Sequence, residues 1–298
     1  MRQVRNWRDA VILIGFLTPA LALIGLFTVW PVLWALVQSF TNRSLRGSGA
    51  RSSEFIGFAN YTRLLNDGDF VSSFVRTLVF VLFSAIIGQT VLGFGAAYLM
   101  TDRPRWHLRF APVFGALFVL PLAVPETVAS LAWASMVNGT ESGLINRFIG
   151  VFGAAPVQWL QEHAFATIVV VNIWRGVSFA MVLFAAALSG LSQQVLEASL
   201  VDGASARQQL WHIIIPMLKT QILIFLMLTA TTTFGIFGLV YFLTRGGPAN
   251  ATEIIGIYIY DQAFQFFEVG LGSAAGIILL LVLLGFGVWY VRLMRDQV

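Results

Sequence analysis

The chain has 298 residues, of which 58% are hydrophobic and only 11% charged, with a formal net charge of +4. A soluble domain carries about 25% charged residues because its surface must face water, and a mean hydropathy of +0.81 exceeds what one water-facing fold of this size can hide. These values exclude a soluble enzyme and make lipid the solvent for most of the chain.

Six apolar stretches are long enough to cross a hydrocarbon core, which takes about 20 helical residues each. They fall at roughly 10–40, 77–100, 110–137, 165–188, 216–243 and 270–291. The expected fold class is therefore an all-α integral membrane protein with six transmembrane helices, residues 1–298 forming a single transmembrane domain. Arg2, Arg5 and Arg8 ahead of the first run, with Ala20-Leu21-Ala22 as a cleavage site, would also fit a signal peptide. The run continues to Phe40, well past the length of a signal-peptide apolar region, and a retained first helix is the preferred reading. Pro19 and Pro31 within it are compatible with a helix buried in lipid.

Orientation follows from the lysines and arginines near the span ends. With the N-terminus inside, Arg2, Arg5, Arg8, Arg103, Arg105, Arg109, Arg207, Lys219, Arg292 and Arg295 face the cytoplasm. Arg43, Arg46, Arg51, Arg63, Arg76, Arg147 and Arg245 then lie outside. The larger inner set places both termini in the cytoplasm, and the protein in a cell membrane as a multi-pass component.

The segment 189–215 breaks the apolar pattern with Gly190, Gln193, Gln194, Glu197, Asp202, Gly203, Arg207, Gln208, Gln209 and His212. Residues 197–202 predict a short helix, with Gly203 as its C-terminal cap, where a positive φ carries no Cβ cost. A second helical run is expected over 204–215, halted at Pro216, with Asp202 as an alternative cap for it. A helix–glycine–helix elbow at the membrane surface gives a soluble partner a short rigid lever to grip. Composition alone would favour an ordinary amphipathic cytoplasmic loop.

Cysteine is absent, which removes disulfides, iron–sulfur clusters and thiolate metal sites. His107, His163 and His212 stand far apart and outside any metal-binding spacing, so neither a metal site nor a catalytic residue is expected. The basic residues form no stripe or motif for nucleic acid. Polar groups at lipid depth are expensive and line cavities or pair with one another. On that ground the solute-pathway candidates are Asn172, Trp174 and Arg175 in the fourth span, Thr231 within the Thr229–Thr233 cluster, Phe234, and Tyr241. Aromatic residues make up 14% of the chain, so any one of them is more often packing or interfacial belt, and for the threonines the alternative is bonding back to their own helix. Glu126, after Pro125, is an acid that needs a partner; Arg175 is one, and a place at the outer interface is the alternative. Gly272-Ser273-Ala274-Ala275-Gly276 has the spacing of a close helix-packing face.

The spacing in the elbow carries more than its composition. Glu197-Ala198-Ser199, three residues, Gly203, nine residues, Ile213, one residue, Ile215-Pro216 resembles the EAA loop of ABC importer permeases. Ser199 stands for the third-position Ala, and Ile215 for Leu. Further stretches resemble the carbohydrate-uptake branch, of maltose and glycerol-phosphate type: 120–125, Gly143-Leu144-Ile145-Asn146, Asn172-Ile173-Trp174-Arg175, 196–204, and 243–253 followed by Tyr258 and Ala263-Phe264. The last resembles the first of the two permeases such systems encode, with Arg245 where glycine is common. The segment 41–73 is too short to be the large insertion of the maltose kind.

The resemblance implies a type I ABC importer permease fold that forms half of a translocation pathway for a sugar or sugar-like solute in a prokaryotic cytoplasmic membrane. It further implies a second homologous permease, a cytoplasmic ATPase dimer and an extracytoplasmic solute-binding protein as partners. The ATPase-coupling residues would be Glu197, Ala198, Ser199, Asp202, Gly203, Ala204, Ile213 and Pro216. A Walker A loop needs Gly-x-x-x-x-Gly-Lys-Ser/Thr, and the single lysine, Lys219, follows Leu218. No cofactor is therefore expected in this chain; ATP and Mg would be bound by the ATPase. The rival readings are an ion- or proton-driven secondary carrier, which would show inverted repeats and conspicuous intramembrane acids, and a membrane enzyme, which would need a polar catalytic cluster.

Overall fold

The structure is a computed structural model and describes residues 7–101 and 111–295. Arg2, Arg5, Arg103, Arg105, His107, Arg109 and the first residue of the predicted third span lie outside the described residues. Among the described residues the secondary structure is helical, apart from one isolated antiparallel bridge between Thr41 and Phe55.

Among the described residues four helices are long and apolar enough to cross a membrane: α1 (Ile14–Ser39), α2 (Gly68–Met100), α5 (Ala164–Ser189) and α10 (Val269–Arg295). Two bent pairs complete six spans if each crosses as one: α3 (Val113–Ala123) with α4 (Glu126–Met136), and α7 (Ala206–Met217) with α8 (Lys219–Phe234). Between α5 and α7 lies the short α6 (Gln193–Val201), and after α8 the short α9 (Gly238–Thr244).

The breaks correct the predicted spans. The third turns by 107° between α3 and α4. Pro125 has no N–H to give and biases Val124 away from helical ψ, so the helix stops and restarts at Glu126. The predicted fifth span breaks twice. Pro216 does not halt α7, because the turn before it is widened: the Ile215 N–H donates to the carbonyl of Leu210, five residues back. The break comes at Leu218, with a 69° bend, and a second at Gly235–Phe237 separates α8 from α9. The second span begins at Gly68 rather than 77. Its polar first turns are hidden from a hydropathy reading, since Ser73 Oγ and Thr77 Oγ1 donate back to the Phe70 and Ser73 carbonyls.

The chain divides into two compact units. One comprises the described residues up to Gly68 together with Ile259–Val282. In it none of the apolar window of α1 is buried against this chain, so its surface is left to lipid or to another subunit. Past its C-terminal end, Phe40 packs among Phe55, Phe58 and Tyr61. Asn60 Nδ2 donates to the carbonyls of Ser39 and Thr41, each at 2.9 Å, and Arg63 pairs with Glu268 at 2.7 Å. Gly272 faces Ala263, with 3.0 Å left for a Cβ, whereas Gly276 has open space around it. That predicted packing stripe therefore packs on one of its two glycines.

The other unit comprises Asp69–Tyr258 and the residues from Leu283 onward. Helix α5 is its spine and takes part in both apolar cores. Ile168 and Val171 join Phe80, Leu239, Leu243 and Ile257 in one core. Ala180, Phe184 and Leu188 join Ala97, Leu196, Ile214 and Phe225 in the other. Helix α2 lies close along α5 because small residues face it: a Cβ on Gly93 would come within 2.2 Å of the Ala180 methyl. Arg245, where the resembled pattern commonly has glycine, sits in the left-handed region at φ 51°, a conformation glycine adopts without steric cost.

Candidate functional site

Two features of the second unit hold the predicted coupling residues and part of the predicted pathway: the elbow after α5, and a polar cleft between α2, α4, α5 and α8.

The elbow is built by its own hydrogen bonds. Helix α6 ends at Val201, and Gly203 takes φ 78°. The Gly203 N–H donates to the Leu200 carbonyl at 3.1 Å and the Ala204 N–H to the Ser199 carbonyl at 3.0 Å. This paired closure is the Schellman arrangement, and it depends on the left-handed residue. The cap of α7 is Ser205, not Asp202. Ser205 Oγ accepts from the Gln208 N–H, and Gln208 Oε1 accepts from the Ser205 N–H at 2.8 Å, a reciprocal capping box. Asp202 instead closes α6, its N–H donating to Ala198.

Gln209, which sequence reasoning noted only as one of the polar residues interrupting the apolar pattern, locks the two helices together. It is buried, and its Nε2 donates to the Leu196 carbonyl at 3.0 Å and to Ser199 Oγ at 2.8 Å. Ser199 is buried too, and its own proton goes to the Leu196 carbonyl at 2.7 Å. The serine in place of alanine thus adds an acceptor inside the joint. Leu196 and Ile214 are buried in the core formed with Phe184 and Leu188, while Ile213 packs partly buried against it. That ties the elbow to the end of α5. Glu197, Ala198 and Val201 face outward, as do Asp202, Gly203 and Trp211. Pro216 is exposed and Ala204 half-buried.

The cleft has a volume of about 610 Å³ and is open on one side. Asn172 and Arg175 line it from α5, Thr229, Thr232 and Thr233 from α8, and Gln89 from α2. Glu126, Phe179 and Phe237 also line it. Most of these polar groups are held by hydrogen bonds. Asn172 Nδ2 donates to Ser84 Oγ at 2.7 Å, and Gln89 Nε2 donates to the Asn172 carbonyl at 3.0 Å. Thr229 Oγ1 donates to Gln89 Oε1. Thr232 Oγ1 bonds back to its own helix at Leu228.

Glu126 does have a partner, and more than one. Its Oε1 accepts the N–H of Leu239 in the first turn of α9, whose preceding residue, Phe237, supplies no side-chain cap. A helix N-terminus without a side-chain cap favours a carboxylate at its orphan N–H groups. Its Oε2 lies 3.4 Å from Arg175 Nη1. One side chain at the break before α4 therefore joins α5 to the break after α8.

Four predicted pathway residues do not line this cleft. Trp174 packs edge-on against Trp133, with ring centres 5.6 Å apart, and faces a separate apolar cavity of about 760 Å³. Thr231 is exposed and Phe234 buried. Tyr241 stacks on Phe237 at 4.9 Å. Helical periodicity explains the division: Asn172 and Arg175, three apart, share a face, as do Thr229, Thr232 and Thr233, while Trp174 and Thr231 fall between. Of the predicted Thr229–Thr233 cluster, Thr229, Thr232 and Thr233 line the cleft; Gln89 is the residue missed, and its signal is position alone, since a glutamine inside an otherwise apolar run must have partners. Among the described residues no group of three His, Asp or Glu gathers as a metal site.

Residues 89–297 match the family described as "Binding-protein-dependent transport system inner membrane component". The chain is 29% identical over 294 residues to the trehalose/maltose transport system permease protein MalF of Thermococcus litoralis, covering 98% of this chain and 96% of that protein. It is 29% identical to the sulfoquinovosyl glycerol transport system permease protein SmoG of Agrobacterium fabrum, covering 97% and 92%. It is also 29% identical to the sn-glycerol-3-phosphate transport system permease protein UgpA of Rhizobium meliloti, covering 94% and 93%. In fold it resembles a chain of a bacterial alginate ABC transporter crystallised with an alginate pentasaccharide-bound periplasmic protein, with a TM-score of 0.82 at 19% identity over 100% of this chain and 98% of that one.

Proposed function

The chain belongs to the binding-protein-dependent transport system inner membrane components, and we propose that it forms half of the translocation pathway of an ATP-driven importer for a sugar or sugar-like solute. Its relatives are permeases named for trehalose and maltose, sulfoquinovosyl glycerol and glycerol 3-phosphate. An open cleft lined by amide, hydroxyl and paired charged groups suits such solutes.

The observation that carries the coupling role is the joint at Gln209. It makes α6 and α7 one rigid body, leaves Glu197, Ala198 and Val201 outward, and anchors that body through Leu196 and Ile214 to the end of α5. In this reading a cytoplasmic ATPase pair, which binds ATP and Mg, grips the outward face. Closure of the pair moves the elbow as a unit, and the displacement passes to α5 and α8, both of which line the cleft. Such rigid-body gating of a bistable domain is an established means of alternating access. A second permease completes the pathway, an extracytoplasmic binding protein delivers the solute, and both termini face the cytoplasm with the elbow.

The test is reconstitution in liposomes of this chain with its companion permease, ATPase and binding protein. Solute together with the binding protein should stimulate ATP hydrolysis and drive uptake. Solute movement by this chain without a nucleotide-hydrolysing companion would overturn the proposal.

A further inference from the structure

The charge class of the solute is left open by kinship, because the relatives are named for both neutral and anionic solutes. We infer that the cleft selects an uncharged polyhydroxyl solute, because its arginine is already matched by an acid built into the fold. The inference rests on the cleft being the solute site.

Among the described residues that line the cleft, Arg175 and Glu126 are the charged ones. They face each other at 3.4 Å, both partly accessible. Glu126 cannot swing away freely, since its other oxygen holds the Leu239 N–H at the start of α9, in a place that Gly238 leaves open and that a Cβ there would approach to 3.0 Å. The carboxylate is thus a fixture of the break rather than a loose surface acid. A free arginine would draw a carboxylate, sulfonate or phosphate into the cleft. An arginine held against a fixed carboxylate presents a dipole instead, whose field falls off faster than that of a single charge. An anionic solute gains from Arg175 about what it loses to Glu126, and still gives up its hydration.

A hydroxyl meets no such opposition. The guanidinium donates to it while the carboxylate accepts from a neighbouring one, so the pair offers a donor and an acceptor side by side. Phe179 and Phe237 add ring faces for the apolar side of a sugar. Repulsion of the wrong solute by Glu126 is the discriminating element, as specificity commonly requires.

The test uses trehalose and trehalose 6-phosphate, which share a skeleton and differ in charge, with the assembled permease pair and ATPase in detergent. The binding protein is left out so that its own selectivity does not enter, and binding is measured by equilibrium dialysis. The wild type should hold trehalose at least about tenfold more tightly than the phosphate, and E126Q should shift that ratio about tenfold towards the phosphate. The amide oxygen introduced by E126Q still accepts from Leu239, so the break is kept. A wild type that prefers the phosphate, or an E126Q ratio that does not move, overturns the charge selection. A third variant, T232W, fills the cleft. Binding of both probes unchanged in T232W, or no binding of either to the wild type, overturns instead the reading of the cleft as the solute site.

Discussion

Gln89 lies over Gly176: a Cβ on that glycine would come within 2.0 Å of the Gln89 side-chain amide carbon. The amide so placed joins α2 to α5 through the Asn172 carbonyl and to α8 through Thr229. Gly176→Ala is therefore expected to push Gln89 aside and destabilise the protein by about 1–3 kcal/mol. Thermal unfolding in detergent measures the loss. Adding Gln89→Ala should make the double variant less unstable than the sum of the two single ones, because the clash is gone. Simple additivity would show that the two side chains do not compete for this space.

Gln209→Ala removes the donor shared by the Leu196 carbonyl and Ser199 Oγ, leaving buried acceptors with less to bond. The expected cost is about 1–3 kcal/mol, with hydrogen exchange rising first across 196–209. Ser199→Ala, which restores the residue of the resembled pattern, keeps the bond from Gln209 to Leu196 and should cost less. Equal losses from the two variants would place the weight of the joint on the hydroxyl instead of the amide.

Glu197 is exposed on the outward face of α6, and Glu197→Ala should change folding stability by no more than about 0.5 kcal/mol. In the reconstituted importer the same variant should abolish uptake and the stimulation of ATP hydrolysis. Normal uptake by the variant would remove Glu197 from the coupling face.

Gly203 holds φ 78° with open space where a Cβ would go, so the cost of alanine there is conformational and not steric crowding. Gly203→Ala is expected to cost about 1 kcal/mol and to uncouple hydrolysis from transport by redirecting α7. Gly203→Asn, which tolerates the left-handed region better, should recover part of both. If the alanine and asparagine variants behave alike, the turn does not depend on its backbone conformation.

At the break before α4, Glu126→Ala removes the acceptor of the Leu239 N–H and should destabilise α9 by about 1–2 kcal/mol. Glu126→Gln keeps an oxygen in the same place and should retain most of that stability. Protease sensitivity near Gly235–Phe237, compared between the two variants, reads the difference directly. Equal sensitivity would mean that the cap contributes little to the break.

The membrane class, the approximate places of six apolar stretches and the helix–glycine–helix form of the elbow follow from the sequence by itself, because each depends on local composition and spacing. Gly203 is an instance: a glycine after a helical run and before a second one announces its own turn. Pro125 marks one break locally, but tertiary structure alone decided which polar groups meet. Gln89 and Asn172 are 83 positions apart, and Glu126 and Leu239 are 113 apart. No local pattern encodes such pairs, since a buried amide or carboxylate requires some partner without specifying which. For the same reason the helix face was decisive at the cleft: Asn172 and Trp174 are near neighbours in sequence, yet one lines the polar cleft and the other an apolar cavity. Turning an α-helix by two residues carries a side chain to the opposite side, and only the packed neighbours determine which side is wet.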